Sequence, residues 1–200
     1  MLMLPFTRRL AVGFASGGLL TGCLPEPMID ARSPSSPPLS APAPDGWTRV
    51  TQPGWMHVDF PASPQGFSKW DRTHQGRYAW KGLGVQIPGA YVELRYLEYR
   101  DPKDIAEAKA ALPRKLENLP PGVHAEKIEP VSVAGAEGTR LLAEVDPKSS
   151  TNGAPFALLE RTQWLWQGGR VFWMDCATPK EKIAICERFL ASFTLESPTP

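Results

Sequence analysis

Histidine and cysteine are scarce in this chain, three of each among 200 residues, and neither falls into a recognisable catalytic or metal-binding pattern. His57, His74 and His124 are scattered, with no His-Glu-x-x-His spacing, and the cysteines are too few and too far apart for a structural zinc site. A Gly-x-Ser-x-Gly elbow, a phosphate-binding loop and a dinucleotide fingerprint are absent from the part that follows the leader described below. Excess charge is lacking as well: the formal net charge is +1, which leaves no electrostatic footprint for nucleic acid. Long apolar runs are also missing. The stretch from Leu10 to Leu20 covers 11 residues, three of them glycine, whereas a membrane-spanning helix needs about 20. No cofactor or metal site is expected. An enzyme reading is weakened but stays open, because paired carboxylates are brought together by the fold and not by spacing in sequence.

The first residues, MLMLPFTRRLAVGFASGGLLTGC, place Arg8 and Arg9 before that apolar stretch and small residues after it, the order of a secretory signal. Leu20, Thr21, Gly22 and Cys23 resemble the lipobox of bacterial lipoprotein precursors. The resemblance implies that the Cys23 thiol takes a diacylglycerol and that the bond between Gly22 and Cys23 is cut. Stable attachment takes more than one acyl chain, a condition a diacylglyceryl cysteine meets. A plain secretory signal with an incidental cysteine, an uncleaved anchor and a twin-arginine signal are the alternatives. Leu24 follows the cysteine; in the lipoprotein sorting rule of some two-membrane bacteria, aspartate there retains the protein at the inner membrane. The expected location is therefore the outer membrane, facing the periplasm, with the inner membrane or cell surface as alternatives.

Three segments follow: a signal peptide over 1–22, a lipidated and proline-rich linker over 23–45, and a globular domain over 46–197. Without the leader, 178 residues carry 20 Lys plus Arg against 21 Asp plus Glu. Seven prolines fall between Leu24 and Asp45, and such a segment cannot repay its ordering entropy. It acts as a semi-extended spacer of at most about 70 Å. With Cys23 assigned to lipid, Cys176 and Cys186 remain for a disulfide in an oxidising compartment; two buried free thiols are the alternative.

In the domain, short aromatic and β-branched runs punctuated by Gly and Pro predict strands at Trp47–Thr51, Met56–Phe60, Phe67–Thr73, Arg77–Ile87 and Tyr91–Arg100. The period then changes, with Ile105, Ala108, Leu112, Leu116 and Leu119 at helical steps behind an Asp101-Pro102 start. Pro113 is expected to kink or split that helix. Strands return at Val123–Val133, Gly138–Val145, Pro155–Gln167 and Arg170–Ala177, with a hairpin turn at Gly168-Gly169. A polar loop spans Asp146–Ala154, and a final helix spans Pro179–Phe193.

This order of elements resembles the PsbP-like superfamily, which includes LpqN-type and DcrB-type lipoproteins. The resemblance covers residues 47 to about 195 and rests on "GWMHVDFP" (Gly54 to Pro61), the central helix, "VAGAEGTRL" (Val133 to Leu141) and "CERFLASFTL" (Cys186 to Leu195). It implies an α+β fold, a mostly antiparallel sheet flanked by helices in an α/β/α sandwich. It also implies a binding, assembly or chaperone role with no shared catalytic residues.

Two constellations stand out. His57 and Asp59 share a strand face and, with His74, suggest either a metal or acid-base site or merely an exposed polar face. Trp164 and Trp166 alternate onto one strand face, where Trp173 on the next strand joins them across the turn. That trio is either core packing or a binding platform for a partner protein or glycan. The expected function is a non-catalytic, membrane-tethered binding or assembly module outside the cytoplasm. Its partners are the membrane, through the lipid, and a protein; an enzyme with an unrecognised site and a glycan or peptidoglycan binder are the rivals.

Overall fold

In the computed structural model the described residues are 37–70, 78–147 and 157–196. The leader, Cys23, most of the spacer, His74 and all but the start of the 146–154 loop lie outside them. Eleven strands and two α-helices make up these segments. A small sheet holds β1 (Leu39–Pro42), β2 (Thr48–Gln52), β3 (Met56–Phe60) and β11 (Thr194–Leu195) in that order. A seven-stranded sheet holds β4 (Gln65–Trp70), β5 (Ala79–Ile87), β6 (Ala90–Glu98), β7 (Val123–Val133), β8 (Ala136–Val145), β9 (Leu158–Gln167) and β10 (Arg170–Thr178), ordered β4-β5-β6-β10-β9-β8-β7. Every pairing is antiparallel. Helix α1 (Pro102–Glu117) and helix α2 (Ile183–Ser192) complete the fold, which is the expected α+β class.

Strict alternation along β6 and β10 decides which side each residue serves. Val92, Leu94, Tyr96, Phe172, Met174 and Cys176 enter the main core with Val50, Met56, Val58 and Phe60 of the small sheet and Phe189 of α2. The opposite face supplies Leu97, Tyr99 and Val171 to a second cluster and Leu141 and Ala143 to a third, and both lie against α1. The large sheet is thus the middle layer, with the small sheet and α2 on one side and α1 on the other.

Cys176 and Cys186 are joined, clamping α2 to β10, and both are fully buried. The Asp101 side chain accepts from Lys103 N–H at 2.8 Å and starts α1 as expected. Two expectations are corrected. Helix α1 is not split at Pro113; Leu112 and Leu116 on either side of the proline pack against Leu141 and Ala143 of the sheet. The linker also ends earlier than expected, since β1 forms within it and pairs with β2 from Leu39 opposite Thr51 to Pro42 opposite Thr48. Arg188 of α2 holds the next turn by donating to Asp45 and Pro44 while its guanidinium lies 4.2 Å from the Trp47 ring centre.

Candidate functional site

Antiparallel register lays the residues of the α1-facing side of the large sheet out in rows. In one row Trp173 of β10 stands between Arg95 of β6 and Trp164 of β9. In the next row, one step along the strands, Val171 stands between Leu97 and Trp166. On the other side of Trp173, Asp175 stands between Glu93 and Thr162. Trp80 of β5 meets Trp173 edge-on at 6.3 Å, Trp164 lies 5.8 Å from Trp173, and Trp166 stacks on Tyr99 at 6.3 Å. One sheet face therefore carries four of the seven tryptophans.

Helix α1 spans this face without filling the space beneath it. Leu112 and Leu116 are buried against the sheet, but Ala108 and Ala111 present only methyl groups toward the rings. What remains is a cavity of about 460 Å³, walled mainly by apolar groups and lined by Trp80, Trp164, Trp166 and Trp173. That volume lies in the range of small-molecule sites. A second, more open groove of about 760 Å³ lies between α1 and β7–β8, with Leu112, Leu116 and Trp166 forming the partition between the two. The first turn of α1 is fixed by Tyr78, whose hydroxyl donates to the buried Asp104 carboxylate at 2.6 Å.

The cavity has one polar end. Arg95 pairs with the buried Glu93 and its guanidinium lies 4.5 Å from the Trp173 ring centre, and burial lowers its pKa. Glu160 lines the cavity. The buried Thr162 hydroxyl stands 2.9 Å from a Glu160 oxygen and 3.0 Å from an Asp175 oxygen. Burial, and then the Glu160 charge, push the Asp175 carboxyl up to about 7 against the opposing pull of Thr162, Arg95 and a backbone N–H. Among the described residues the buried Trp173 indole N–H has no hydrogen-bond partner, and an orphaned donor costs about 1–3 kcal/mol.

The expected tryptophan trio is brought together, in a role between the two readings. Trp164, Trp166 and Trp173 are half-buried, neither sealed core nor flat exposed platform. Sequence periodicity misses Trp80, Tyr99 and the charged row, because a sheet's lateral neighbours are set by strand order, which periodicity does not reveal; alternation along β6 puts Glu93 and Arg95 on one face without saying which strand lies beside it. His57 and Asp59 do not form a working pair. The His57 ring contacts the Thr194 hydroxyl, while Asp59 accepts two hydrogen bonds from Arg49 at 2.7 and 3.0 Å. His124 lies 3.3 Å from Asp146. Among the described residues no three His, Cys, Asp or Glu side chains are placed to share a metal ion, and no helix is long and apolar enough to cross a membrane.

No family model and no curated protein matches the chain. Solved structures do. LpqN, involved in cell envelope biogenesis of Mycobacterium tuberculosis, is similar at 15% identity, covering 82% of this chain and 91% of its own, with a TM-score of 0.40. Cyanobacterial PsbP from Synechocystis is similar at 9% identity, covering 80% and 92%, with a TM-score of 0.39. A Pseudomonas aeruginosa protein of unknown function, PA94, is similar at 11% identity, covering 75% and 88%, with a TM-score of 0.38. With TM-scores of 0.38–0.40, these likenesses carry no argument about what this chain binds.

Proposed function

We propose that this chain is an exported lipoprotein whose domain is a non-catalytic binding module, taking a small ligand into the tryptophan-lined cavity beneath α1. The observation that carries this reading is the cavity itself. A native fold packs its interior to about the density of organic crystals, yet here four indoles and a helix enclose a site-sized space. Leaving such a space open costs stability, and retained openness of this kind is characteristic of binding sites. The Asp175–Thr162–Glu160 group is read as part of recognition, the polar end that orients a guest held mainly by apolar walls.

The anchor half of the reading rests on Leu20 to Cys23 and on the proline-rich segment that follows. Lipid on Cys23 ties the chain to the outer membrane, and the spacer lets the domain reach its ligand, or a protein partner that receives it, away from the bilayer. Two measurements test the halves separately. Cys23→Ser should move the protein from the membrane fraction to the soluble periplasmic extract; retention in the membrane contradicts the anchor. Trp164→Ala should abolish ligand-induced changes in tryptophan emission without unfolding the domain, and unchanged responses contradict the site. A glycan platform is disfavoured, because the rings face α1 across a cavity instead of forming an exposed coplanar row.

A further inference from the structure

The charges at the polar end of the cavity do not balance. Glu160 lines the cavity beside Arg95, and Arg95 is already committed to Glu93; Asp175, outside the lining, joins Glu160 through the Thr162 hydroxyl. Asp175 has a backbone N–H and the Arg95 charge besides, but between the two carboxylates stands only the Thr162 hydroxyl. A hydroxyl has one proton to donate, so it can serve one of its two carboxylate neighbours, and the other short contact needs either a proton or a nearby cation. Lys115, the other cation lining the cavity, is exposed on α1 and forms no ion pair with either carboxylate among the described residues.

The walls beside this pair are indole faces, whose negative quadrupole attracts cations, more strongly when the site is desolvated. Trp173 already receives Arg95 on its ring. Trp164, in the same row, receives no cation among the described residues. An anion would meet the Glu160 carboxylate, and a neutral guest would leave the pair dependent on a retained proton.

We propose that the cavity takes an organic monocation, an ammonium group on an apolar or aromatic body, with the charge lodged between the Trp164 ring and Glu160, the carboxylate that Thr162 links to Asp175, and the body under α1. This inference rests on the reading of the cavity as a ligand site and adds the ligand's chemical class. The ammonium takes the place of a proton on the pair. Because burial and Glu160 push Asp175 up to about 7, proton and ammonium compete, and binding weakens as pH falls through that value.

The test uses the full chain carrying Cys23→Ser, which keeps lipid micelles out of the assay, and three probes of one shape: phenylbutylamine, phenylbutanol and phenylbutyrate. Titrations followed by tryptophan emission should show the amine binding roughly tenfold or more tighter than the alcohol at pH about 8, with the acid weakest. The preference should shrink toward pH about 5. Glu160→Gln and Asp175→Asn should each remove it, while near-ultraviolet circular dichroism confirms that the variants are folded. Equal binding of amine and alcohol by the unmodified cavity would overturn the ammonium assignment and leave the ligand site standing. Failure of all three probes to bind would overturn both.

Discussion

Asp175 is an acid whose folded-state pKa, about 7, stands above its ordinary 3.8. Such a group stabilises the fold most below pH 3.8, because both states are then protonated, and that contribution is lost as pH rises through about 7. Denaturant midpoints should therefore fall between pH 3.8 and about 7 in the unmodified protein, and Asp175→Asn should flatten that decline; identical pH profiles would contradict the placement of the carboxyl. Gly138, inside the "VAGAEGTRL" run, is a second residue on which the fold leans. A Cβ there would stand 1.7 Å from the Trp164 carbonyl oxygen, a backbone atom that cannot swing aside. Gly138→Ala should cost about 1–3 kcal/mol in urea unfolding, and a neutral result would mean that β8 and β9 lie farther apart. In the turn just before it, Ala134 and Gly135 both have positive φ, 48° and 82°, the pattern that favours Asn-Gly. Ala134→Asn should raise stability by about 0.5–1 kcal/mol in the same assay.

At the scale of elements, the two helices differ in how firmly they are held. Helix α2 is stapled to β10 by the Cys176–Cys186 bond and buries Cys186, Phe189 and Leu190. Closing a loop with a sequence separation of 10 is worth about 2–3 kcal/mol, so the paired Cys176→Ala, Cys186→Ala variant should lose about that much in chemical denaturation while keeping its ligand response, since the bond lies on the sheet face away from the cavity. Helix α1 has a Tyr78–Asp104 contact at its start, Leu112 and Leu116 farther on, and open space to either side. Its amides should exchange with deuterated solvent sooner than those of α2. Most of these elements are legible in the sequence. Met56–Phe60 and Val123–Val133 coincide with their strands, and Asp101-Pro102 marks the start of α1, because alternation and capping are local physics. Pro113 misleads about a split, since Leu112 and Leu116 on either side of it pack against the sheet and hold the helix together. Strand β1 escapes a sequence reading because Leu39–Pro42 pairs with a strand across the turn at 44–46 and carries no hydrophobic pattern of its own.

For the whole molecule, the middle sheet separates a densely packed core from a sparsely filled face. The small sheet and α2 close one side, packing Phe60, Phe189 and Phe193 with Phe172 of the middle sheet, whereas α1 bridges the other and leaves the indoles lining a cavity. The tryptophan pair on β9 and its neighbour on β10 can be read from the sequence alone, since hairpin register places them together. Their lateral partners Arg95, Glu93 and Trp80 cannot, because the strands that carry them lie far away in sequence. If the space beneath α1 is kept open for a ligand, filling it should cost the fold nothing and the guest everything. Ala111 lines the cavity from the helix side, so Ala111→Phe places a ring where the guest would lie. The thermal midpoint of that variant should be no lower than that of the unmodified protein, and the amine-induced change in tryptophan emission should be gone. Binding of the amine as strong as before would show that the guest does not lie beneath α1.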